Sequence, residues 1–229
     1  MATLVIAHRG ASAEKPENTL EAFRRALALK VDGIELDVQL TADGVPVVFH
    51  DTSLRRLTGR PGRLANQTWH NLKKLRVAGT EPIPRLADVL SLVRGRAVVQ
   101  IELKRGVSVA PVVRVVRHAG AGPWVILASF ESPLVCEAAR LAPEIPRMLI
   151  ATGRGGTKKL LRQMGTVGAS GLSLNHKAVR NRAMVEAVHA GGVPLWCWTV
   201  NDAATARRLA GWGVDALLGD NPVLLQSAV

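Results

Sequence analysis

Three acidic residues interrupt otherwise apolar segments of the chain. Glu35 and Asp37 stand two residues apart in the segment Gly33–Leu40, and Glu102 stands two residues before Lys104. Residues two apart on a strand project to the same face, so each of these pairs is expected to share a face. Three carboxylates that converge on one interior cannot all ionise without a cation. Their all-oxygen donor set favours Mg²⁺ or Ca²⁺ over zinc.

The same charges have a second, purely structural interpretation. Lys104 would pair with Glu35, and Arg9 would pair with Asp37. Such buried ion pairs would brace the protein without taking part in catalysis. This alternative accounts for the acidic residues but leaves two nearby histidines unexplained.

The two histidines, His8 and His50, each end an apolar segment. Histidine is the side chain best suited to gain and lose a proton at neutral pH. Two histidines that flank one metal ion would serve as an acid and a base on opposite sides of a phosphoryl group. A single interior histidine is more often structural, but a pair in this setting favours catalysis.

Two cations and one aromatic residue complete the candidate site. Arg9 offers a fork of donors that matches phosphate oxygens, and Lys104 offers a point charge. Both are therefore candidate contacts for a phosphate diester. Trp198 shares a strand face with Trp196 and is a candidate wall for the alcohol portion of a substrate, with core packing as an equal alternative.

The elements that would position these residues are short apolar runs alternating with amphipathic stretches, a pattern typical of parallel strands covered by helices. Strands are predicted at residues 3–7, 33–40, 45–49, 97–103, 124–129, 147–151, 171–174, 194–200 and 215–218. Helices are predicted at residues 18–30, 86–93, 109–118, 133–141, 158–164, 182–190 and 202–211.

The link 41–44 decides how these strands are arranged. It is too short for a parallel crossover and suits a hairpin, so the strand at 45–49 is predicted to be an antiparallel arm. Eight strands then remain for an α/β fold of the (β/α)8 TIM-barrel type, with a doubly wound sheet as the alternative.

The segment at about 52–85 breaks the alternation. It is rich in Gly and Pro and has only a short helical piece around residues 69–75. Irregular insertions at the open end of a barrel usually shape a substrate site, so we expect a short insertion there. Residues 1–229 are expected to form a single barrel domain, because no linker or repeat divides them.

Composition limits the remaining classes of protein. Of 229 residues, 48% are hydrophobic, which excludes a disordered chain, and the net charge of +12 favours anionic partners. A basic, non-enzymatic module that binds nucleic acid or an anionic membrane is one alternative. The 30 Lys and Arg residues are scattered along the chain and are not interleaved with aromatic residues, since the chain has 3 Phe and no Tyr. No nucleic-acid partner is therefore expected.

A cytoplasmic location is predicted. No apolar run approaches the roughly 20 residues that cross a membrane, and the first apolar run follows no basic region typical of a secretory signal. Cys136 and Cys197 cannot form a disulfide framework and are expected to be buried, reduced thiols.

Motifs along the whole chain resemble those of the glycerophosphodiester phosphodiesterase family. The most specific motifs lie in the first hundred residues, and later ones look like the family's closing motifs. They are His8-Arg9-Gly10, Pro16-Glu17-Asn18-Thr19, residues 33–41, 43–44, 46–51 and 101–104, Ser129-Phe130, residues 198–201, Gly213-Val214-Asp215 and Asp220-Asn221-Pro222.

This resemblance implies a (β/α)8 barrel that hydrolyses small-molecule glycerophosphodiesters to sn-glycerol 3-phosphate and an alcohol, using one divalent cation, Mg²⁺ or Ca²⁺. The site residues that it implies are the metal ligands Glu35, Asp37 and Glu102, the acid/base pair His8 and His50, and the phosphate contacts Arg9 and Lys104. Glu17 matches a position near the site, with a first-turn helix acid as the alternative. Gly219 departs from the pattern, which often has Thr there.

Two alternatives keep the same site and change the outcome. One is a lysophospholipase D-like hydrolase. The other is a lyase, in which a substrate hydroxyl attacks phosphorus and releases a cyclic phosphate. The sequence lacks the cysteine-bridged loop of the secreted lyases, so hydrolysis is the expected reaction.

Overall fold

The computed structural model of the chain describes residues 2–153 and 156–229. Eight parallel strands form a closed barrel, in which the first strand pairs with both the second and the last. This closure confirms the predicted (β/α)8 barrel, because a doubly wound sheet would leave two open edges. In the described part of the chain, no helix is both long and apolar enough to span a membrane.

The nine predicted strands are present within two residues of their predicted positions, and the short β4 and β5 are added within the segment predicted to be irregular. In chain order they are β1 (Leu4–His8), β2 (Gly33–Leu40), β3 (Pro46–Val48), β4 (Arg76–Val77), β5 (Glu81–Pro82), β6 (Val98–Leu103), β7 (Val125–Ser129), β8 (Arg147–Ala151), β9 (Gly171–Asn175), β10 (Leu195–Trp198) and β11 (Ala216–Gly219). β3, β4 and β5 lie outside the barrel, whose order is β1-β2-β6-β7-β8-β9-β10-β11.

The seven predicted helices are also present within two residues, the short helical piece predicted around residues 69–75 is present as α3, and α2 and α10 are added. The α-helices are α1 (Leu20–Ala28), α2 (Arg55–Thr58), α3 (Trp69–Leu72), α4 (Leu86–Val93), α5 (Val109–His118), α6 (Ser132–Leu141), α7 (Thr157–Thr166), α8 (Arg182–His189), α9 (Ala203–Gly211) and α10 (Pro222–Gln226). α1 begins at Leu20 rather than at residue 18. Asn18 is left-handed at φ +59°, and the Thr19 hydroxyl caps the helix instead by accepting from the Ala22 N–H.

The arm predicted after β2 is present. β3 pairs with β2 in the antiparallel sense, with Val48 opposite Val38. Gly44 supplies the positive φ of +75° that the turn requires, and the Thr41 hydroxyl accepts a hydrogen bond from the Val45 N–H. The arm therefore extends β2 beyond the carboxyl end of the barrel.

Residues 52–85, called the insertion from here on, fold against this arm. They form α2, a 3₁₀ turn at Leu64–Asn66, α3 and the two-stranded β4–β5 pair. Their apolar side chains pack with two residues of the arm in one small cluster of Val47, Phe49, Leu54, Leu64, Leu72, Val77 and Ile83. The insertion is thus held by a core of its own next to the barrel mouth.

Apolar side chains fill both sides of the barrel wall. Two large clusters pack between the strands and the surrounding helices. The barrel interior is filled by Ile6, Ala128, Met148, Ile150, Trp196, Ala216 and Leu218. Cys197 is buried as predicted, but Cys136 is exposed, because its neighbour Val135 takes the buried side of α6 and successive helical residues point about 100° apart.

Candidate active site

The three carboxylates predicted to bind metal come together at the carboxyl ends of two adjacent strands. Strand register places Asp37 of β2 opposite Glu102 of β6, and Glu35 of β2 opposite His8 of β1. Each of the three carboxylates offers an oxygen, and these oxygens all lie within 4.8 Å of one another. Strand register alone therefore builds an oxygen-lined cluster that could hold one metal ion.

Burial sets the charge state of this cluster. Burial and the neighbouring Asp37 carboxylate raise the pKa of Glu35 to about 8. The same two causes raise the pKa of Glu102. Burial opposes ionisation of Asp37 as well, but the charges of Lys104 and Arg9 hold its pKa below the ordinary value. The cluster therefore favours an added positive charge, either a proton or a metal cation.

Two basic side chains contact the cluster. Lys104 Nζ lies 3.2 Å from Asp37 Oδ1 and 2.5 Å from Glu102 Oε1. Arg9 Nε lies 3.3 Å from Asp37 Oδ2, and the Arg9 backbone N–H donates to Glu35 at 3.0 Å. The expected Arg9–Asp37 pair is present. The expected Lys104–Glu35 pair is wrong, because the register of β2 and β6 sets Lys104 beside Asp37 and its own strand neighbour Glu102.

His8 is oriented by an acidic residue that directly follows the last strand. Its Nδ1 lies 2.7 Å from Asp220 Oδ1, and its Nε2 lies 3.9 Å from Glu35 Oε2. Asp220 also accepts hydrogen bonds from Asn201 and Ser12. These two bonds, together with the bond and the charge of His8, hold the pKa of Asp220 at about 2, although burial alone would raise it. Burial lowers the pKa of His8, but Asp220 and Glu35 outweigh it and raise the pKa overall. Nδ1 therefore donates to Asp220, and Nε2 faces the carboxylate cluster.

His50 has a similar acidic partner, supplied by the next residue. Its Nδ1 lies 2.7 Å from Asp51 Oδ1. The backbone around it is fixed by Gln39 of β2, whose side-chain amide donates to the carbonyl oxygens of Phe49, His50 and Asp51 at 2.8, 3.1 and 2.8 Å. Both histidines thus present one ring nitrogen to a carboxylate and keep the other available.

A cavity of about 140 Å³ opens between these groups. Its lining includes two histidines, two acidic and two basic side chains, and the remaining lining residues are uncharged, some polar and some apolar. The lining residues are His8, Arg9, Glu35, His50, Gln100, Glu102, Lys104, Phe130, Ile150, Ser173, Trp198, Thr199 and Leu218. The arrangement can bind an anionic group and exchange protons with it from two sides.

Trp198 forms an aromatic wall of this cavity. Its indole N–H donates to the Ser173 carbonyl at 3.1 Å, and its ring meets Phe130 edge to face, with centroids 5.4 Å apart. Phe130 is one of the few large apolar side chains exposed to solvent among the residues that the structure describes, with 41% of its surface accessible. The two rings form an apolar surface beside the charged groups of the cavity.

Glu17 contacts the site as the family resemblance implies. It accepts a hydrogen bond from Arg9 Nη1 at 2.8 Å. The alternative of a first-turn helix acid is wrong, because Glu17 precedes Thr19, the N-cap of α1, and Glu21 is the acid in the first turn.

Three further residues support the site, and of these only Arg56 lacks a sequence signal. Asn18 is buried and donates its side-chain amide to Asp37 Oδ2 at 2.8 Å, and Arg56 of α2 contacts Asp51 and Glu17. Asn18 and Asp220 stand in motifs that resemble the family's, and Asp220 also follows the last strand directly. These signals could have marked both residues.

Seven of the eight predicted site residues line one cavity, and the eighth lies directly behind it. Asp37 is that eighth residue, 1% exposed and in contact with both Arg9 and Lys104. Sequence reasoning therefore selected residues that the fold does bring together, while their individual roles stay predictions.

The closed barrel, with acidic, basic and histidine side chains at the carboxyl ends of its strands, defines the class of protein as a TIM-barrel enzyme. Within that class, the chain belongs to the glycerophosphoryl diester phosphodiesterase family, whose sequence model matches residues 8–224.

Relatives of known sequence or structure cover nearly the whole chain. A glycerophosphodiester phosphodiesterase of Caldanaerobacter subterraneus subsp. tengcongensis is 34% identical over 251 residues, which cover 100% of this chain and 98% of the relative. An Oleispira antarctica phosphodiesterase, solved in complex with the product sn-glycerol-3-phosphate, is 28% identical with a TM-score of 0.91, covering 99% of this chain and 96% of its own. A glycerophosphodiester phosphodiesterase of Agrobacterium tumefaciens is 30% identical with a TM-score of 0.88, covering 98% of this chain and 99% of its own.

Proposed function

We propose that this protein hydrolyses glycerophosphodiesters to sn-glycerol 3-phosphate and an alcohol, with His8 and His50 as its acid/base pair and one divalent cation as cofactor. One observation carries the proposal. Both histidines line the same cavity as Glu35 and Glu102, and each has its Nδ1 held by a carboxylate at 2.7 Å.

The residues present fit a hard divalent cation. Glu35, Asp37 and Glu102 would hold it, because their oxygens converge and burial disfavours their joint ionisation without added positive charge. Carboxylate oxygens are suitable ligands for both Mg²⁺ and Ca²⁺, so the type of donor atom does not distinguish between the two ions. When bound, the cation supplies Lewis-acid neutralisation of negative charge on the phosphoryl oxygens.

The chain's own cations serve the same phosphoryl group. Arg9 and Lys104 line the cavity with their charged ends near the carboxylates. Positive charge that is already in place where negative charge grows in the transition state is usually the largest catalytic contribution. Arg9 and Lys104 would therefore bind the diester and stabilise it as phosphorus is attacked.

The two histidines would move the protons. One would accept a proton from the nucleophile, which is water in hydrolysis. The other would donate a proton to the departing alkoxide oxygen, which is otherwise a poor leaving group. Asp220 and Asp51 hold the two rings through Nδ1, so Nε2 of each histidine is the atom that would exchange the proton.

A coupled assay for released glycerol 3-phosphate tests this function. Diesters carrying choline, ethanolamine or glycerol are compared with Mg²⁺, with Ca²⁺ and with chelator. We expect cation-dependent release that is strongly reduced in His8→Ala and His50→Ala and unchanged in His118→Ala, an exposed histidine on α5. No release from any of these diesters with either cation would contradict the proposal.

Phosphorus NMR of the products separates the competing reactions of this site. Hydrolysis gives only the monoester, whereas attack by the glycerol 2-hydroxyl gives a cyclic phosphate first. Accumulation of the cyclic product would favour the lyase alternative. Release of choline from a lysophospholipid faster than from the water-soluble diester would favour the lysophospholipase D alternative. The cytoplasmic location and the choice between the two metals stay predictions.

A further inference from the structure

Arg56 of α2 contacts carboxylates from two other parts of the chain. Its Nε and Nη2 donate to Asp51 at 2.7 and 2.9 Å. Its Nη1 and Nη2 donate to Glu17 at 2.8 and 2.9 Å. Asp51 follows His50 just after the arm, and Glu17 lies in the loop after β1, which ends at His8. One guanidinium from the insertion therefore joins the segment that carries His50 to the loop that follows His8.

Each of these carboxylates also contacts a residue that lines the cavity. Asp51 Oδ1 lies 2.7 Å from His50 Nδ1, and Glu17 Oε1 accepts from Arg9 Nη1 at 2.8 Å. The contacts run in the order Arg9, Glu17, Arg56, Asp51, His50. Arg56 itself is not among the cavity-lining residues, so it reaches the cavity only through these two carboxylates.

The insertion holds Arg56 in place independently of its acidic partners. The Ala78 N–H donates to the Leu57 carbonyl at 2.8 Å, which ties α2 to β4. Leu54, at the start of α2, is buried in the insertion's own apolar cluster. Gly59 ends the helix with a φ of +70°. The guanidinium therefore projects from a fixed backbone.

The geometry of these contacts requires arginine. A single exposed ion pair contributes little, but a planar guanidinium that meets two carboxylates at once fixes the direction of both. A lysine ammonium carries the same charge without that fork. Without any shared cation, the two carboxylates would repel, and Asp51 would be free to turn away from His50.

We propose that Arg56 is a positioning residue, which fixes the His50 imidazole through Asp51 while Glu17 anchors it to the loop after β1. The proposal rests on the proposed function, because it assigns Arg56 to the alignment of the acid/base pair. It also gives the insertion a task in catalysis. The insertion carries the Arg56 guanidinium, which bonds to both the arm side and the β1 side of the cavity. This shared contact would hold His50 and Arg9 at the same cavity.

The test compares Arg56→Gln and Arg56→Lys with Arg117→Gln. Arg117 of α5 is a matched control, because it is a half-exposed arginine whose Nε and Nη2 donate to Glu144 at 2.9 and 2.8 Å. We expect Arg56→Gln to lower kcat by about 10- to 100-fold and to change KM much less, since misplacement of a catalytic group costs on that order. Arg56→Lys should fall between Arg56→Gln and wild type, and Arg117→Gln should match wild type.

A double mutant shows whether the effect passes through His50. If it does, Arg56→Gln in a His50→Ala background should cause a much smaller further loss of kcat than it causes in wild type. The full loss in both backgrounds would overturn the proposal. A loss of activity that only follows a lower melting temperature would also overturn it, and Arg56→Lys keeps this comparison possible if Arg56→Gln folds poorly.

Imidazole NMR gives a readout that needs no turnover. The His50 resonances are those missing in His50→Ala. They should shift in Arg56→Gln and stay unchanged in Arg117→Gln. Unchanged His50 resonances in Arg56→Gln would overturn the proposal whether or not the protein is active. Shifted resonances in a protein without phosphodiesterase activity would support the positioning role and count against the proposed function alone.

Discussion

His8 Nδ1 and Asp220 Oδ1 lie 2.7 Å apart although 212 positions separate the two residues in the chain. The parallel pairing of β1 with β11 creates this contact, because it closes the barrel and sets the two strand ends side by side. Asp220 is held in turn by Asn201, whose amide donates to its other oxygen at 2.6 Å. The last strand of the barrel thus orients a histidine at the end of the first.

Asp220→Asn is expected to lower kcat/KM by about 10- to 100-fold with little change in melting temperature, because removing the partner that orients a functional histidine typically costs that much. The amide keeps the shape but loses the charge that stabilises the protonated ring. Steady-state kinetics on a glycerophosphodiester measures the effect. Asp215→Asn is the control, because Asp215 contacts His189 at 2.9 Å at the opposite end of the barrel. Equal losses in the two variants would show that the effect is not specific to His8.

His8→Ala and His50→Ala are each expected to lose about 10²- to 10⁴-fold in activity, the usual contribution of one acid or base. A substrate with a nitrophenol leaving group assigns their roles. It needs no protonation as it departs, so its hydrolysis should recover in the variant that lacks the acid and stay slow in the variant that lacks the base. Near wild-type turnover of ordinary diesters by both variants would be incompatible with a two-histidine mechanism.

The fold could be predicted because its signals are local. Apolar runs mark the strands, and the four residues 41–44 permit only a hairpin between β2 and β3. The start of α1 was predicted two residues too early, because Asn18 has a left-handed backbone and its side chain bonds to Asp37 on another strand. A local sequence pattern cannot predict a hydrogen bond to a residue on another strand.

The sequence allowed us to predict which residues form the site, but not all of the contacts between them. Strand alternation correctly placed Glu35 and Asp37 on one face. The partner of Lys104 depends on the register between β2 and β6, which sets Asp37 opposite Glu102, and alternation alone does not determine that register. Arg56 was missed entirely, because it lies on a four-residue helix whose position depends on the packing of the insertion.

Cation binding is expected to release protons near neutral pH. Burial and Asp37 raise the pKa of Glu35 to about 8, so at pH 7 this carboxyl carries a proton in the metal-free protein. A metal ion binds the ionised carboxylate, and its binding must displace that proton. The affinity for Mg²⁺ or Ca²⁺ should therefore rise as pH increases toward 8 and then level off. Calorimetry in two buffers of different ionisation enthalpy counts the protons, and a pH-independent affinity without proton release would contradict this prediction.

Cation binding is also expected to raise the melting temperature. A ligand at about 100 times its Kd stabilises the folded state by roughly 2.7 kcal/mol, which is about 5 to 10 °C for a domain of this size. Asp37→Asn should abolish the shift, because it removes a carboxylate from the cluster, and should reduce activity severely. Glu144→Gln, at an exposed acid far from the cluster, should keep the full shift in a thermal-denaturation assay. Equal shifts in both variants would place the stabilising cation elsewhere.

The backbone around Gly219 leaves no room for a side chain. A Cβ built there would lie 2.3 Å from the Val200 carbonyl oxygen and 2.9 Å from Leu225 Cδ1. The Val200 segment cannot move away without cost, because its N–H donates to Leu218 at 2.8 Å and the next residue, Asn201, binds Asp220. The family pattern often has Thr at position 219, and this chain has Gly at the point where the β11 backbone closely approaches the Val200 carbonyl.

Gly219→Ala is expected to destabilise the protein by about 1 to 3 kcal/mol, the usual cost of overpacking a tight site, and Gly219→Thr by more. Activity should fall further than stability explains, because displacement of Val200 and Asn201 disturbs the carboxylate of Asp220 that orients His8. Chemical denaturation and kinetics at a temperature where both variants are folded measure the two effects. Gly165→Ala is the control. Apart from its chain neighbours and the backbone of α7 itself, no atom of the described residues lies within 4 Å of a Cβ added at Gly165, so alanine there should stabilise the protein slightly and leave kcat unchanged. A Gly219→Ala variant as stable and active as wild type would show that the Val200 carbonyl yields freely, and that β11 does not depend on this contact to hold Asp220.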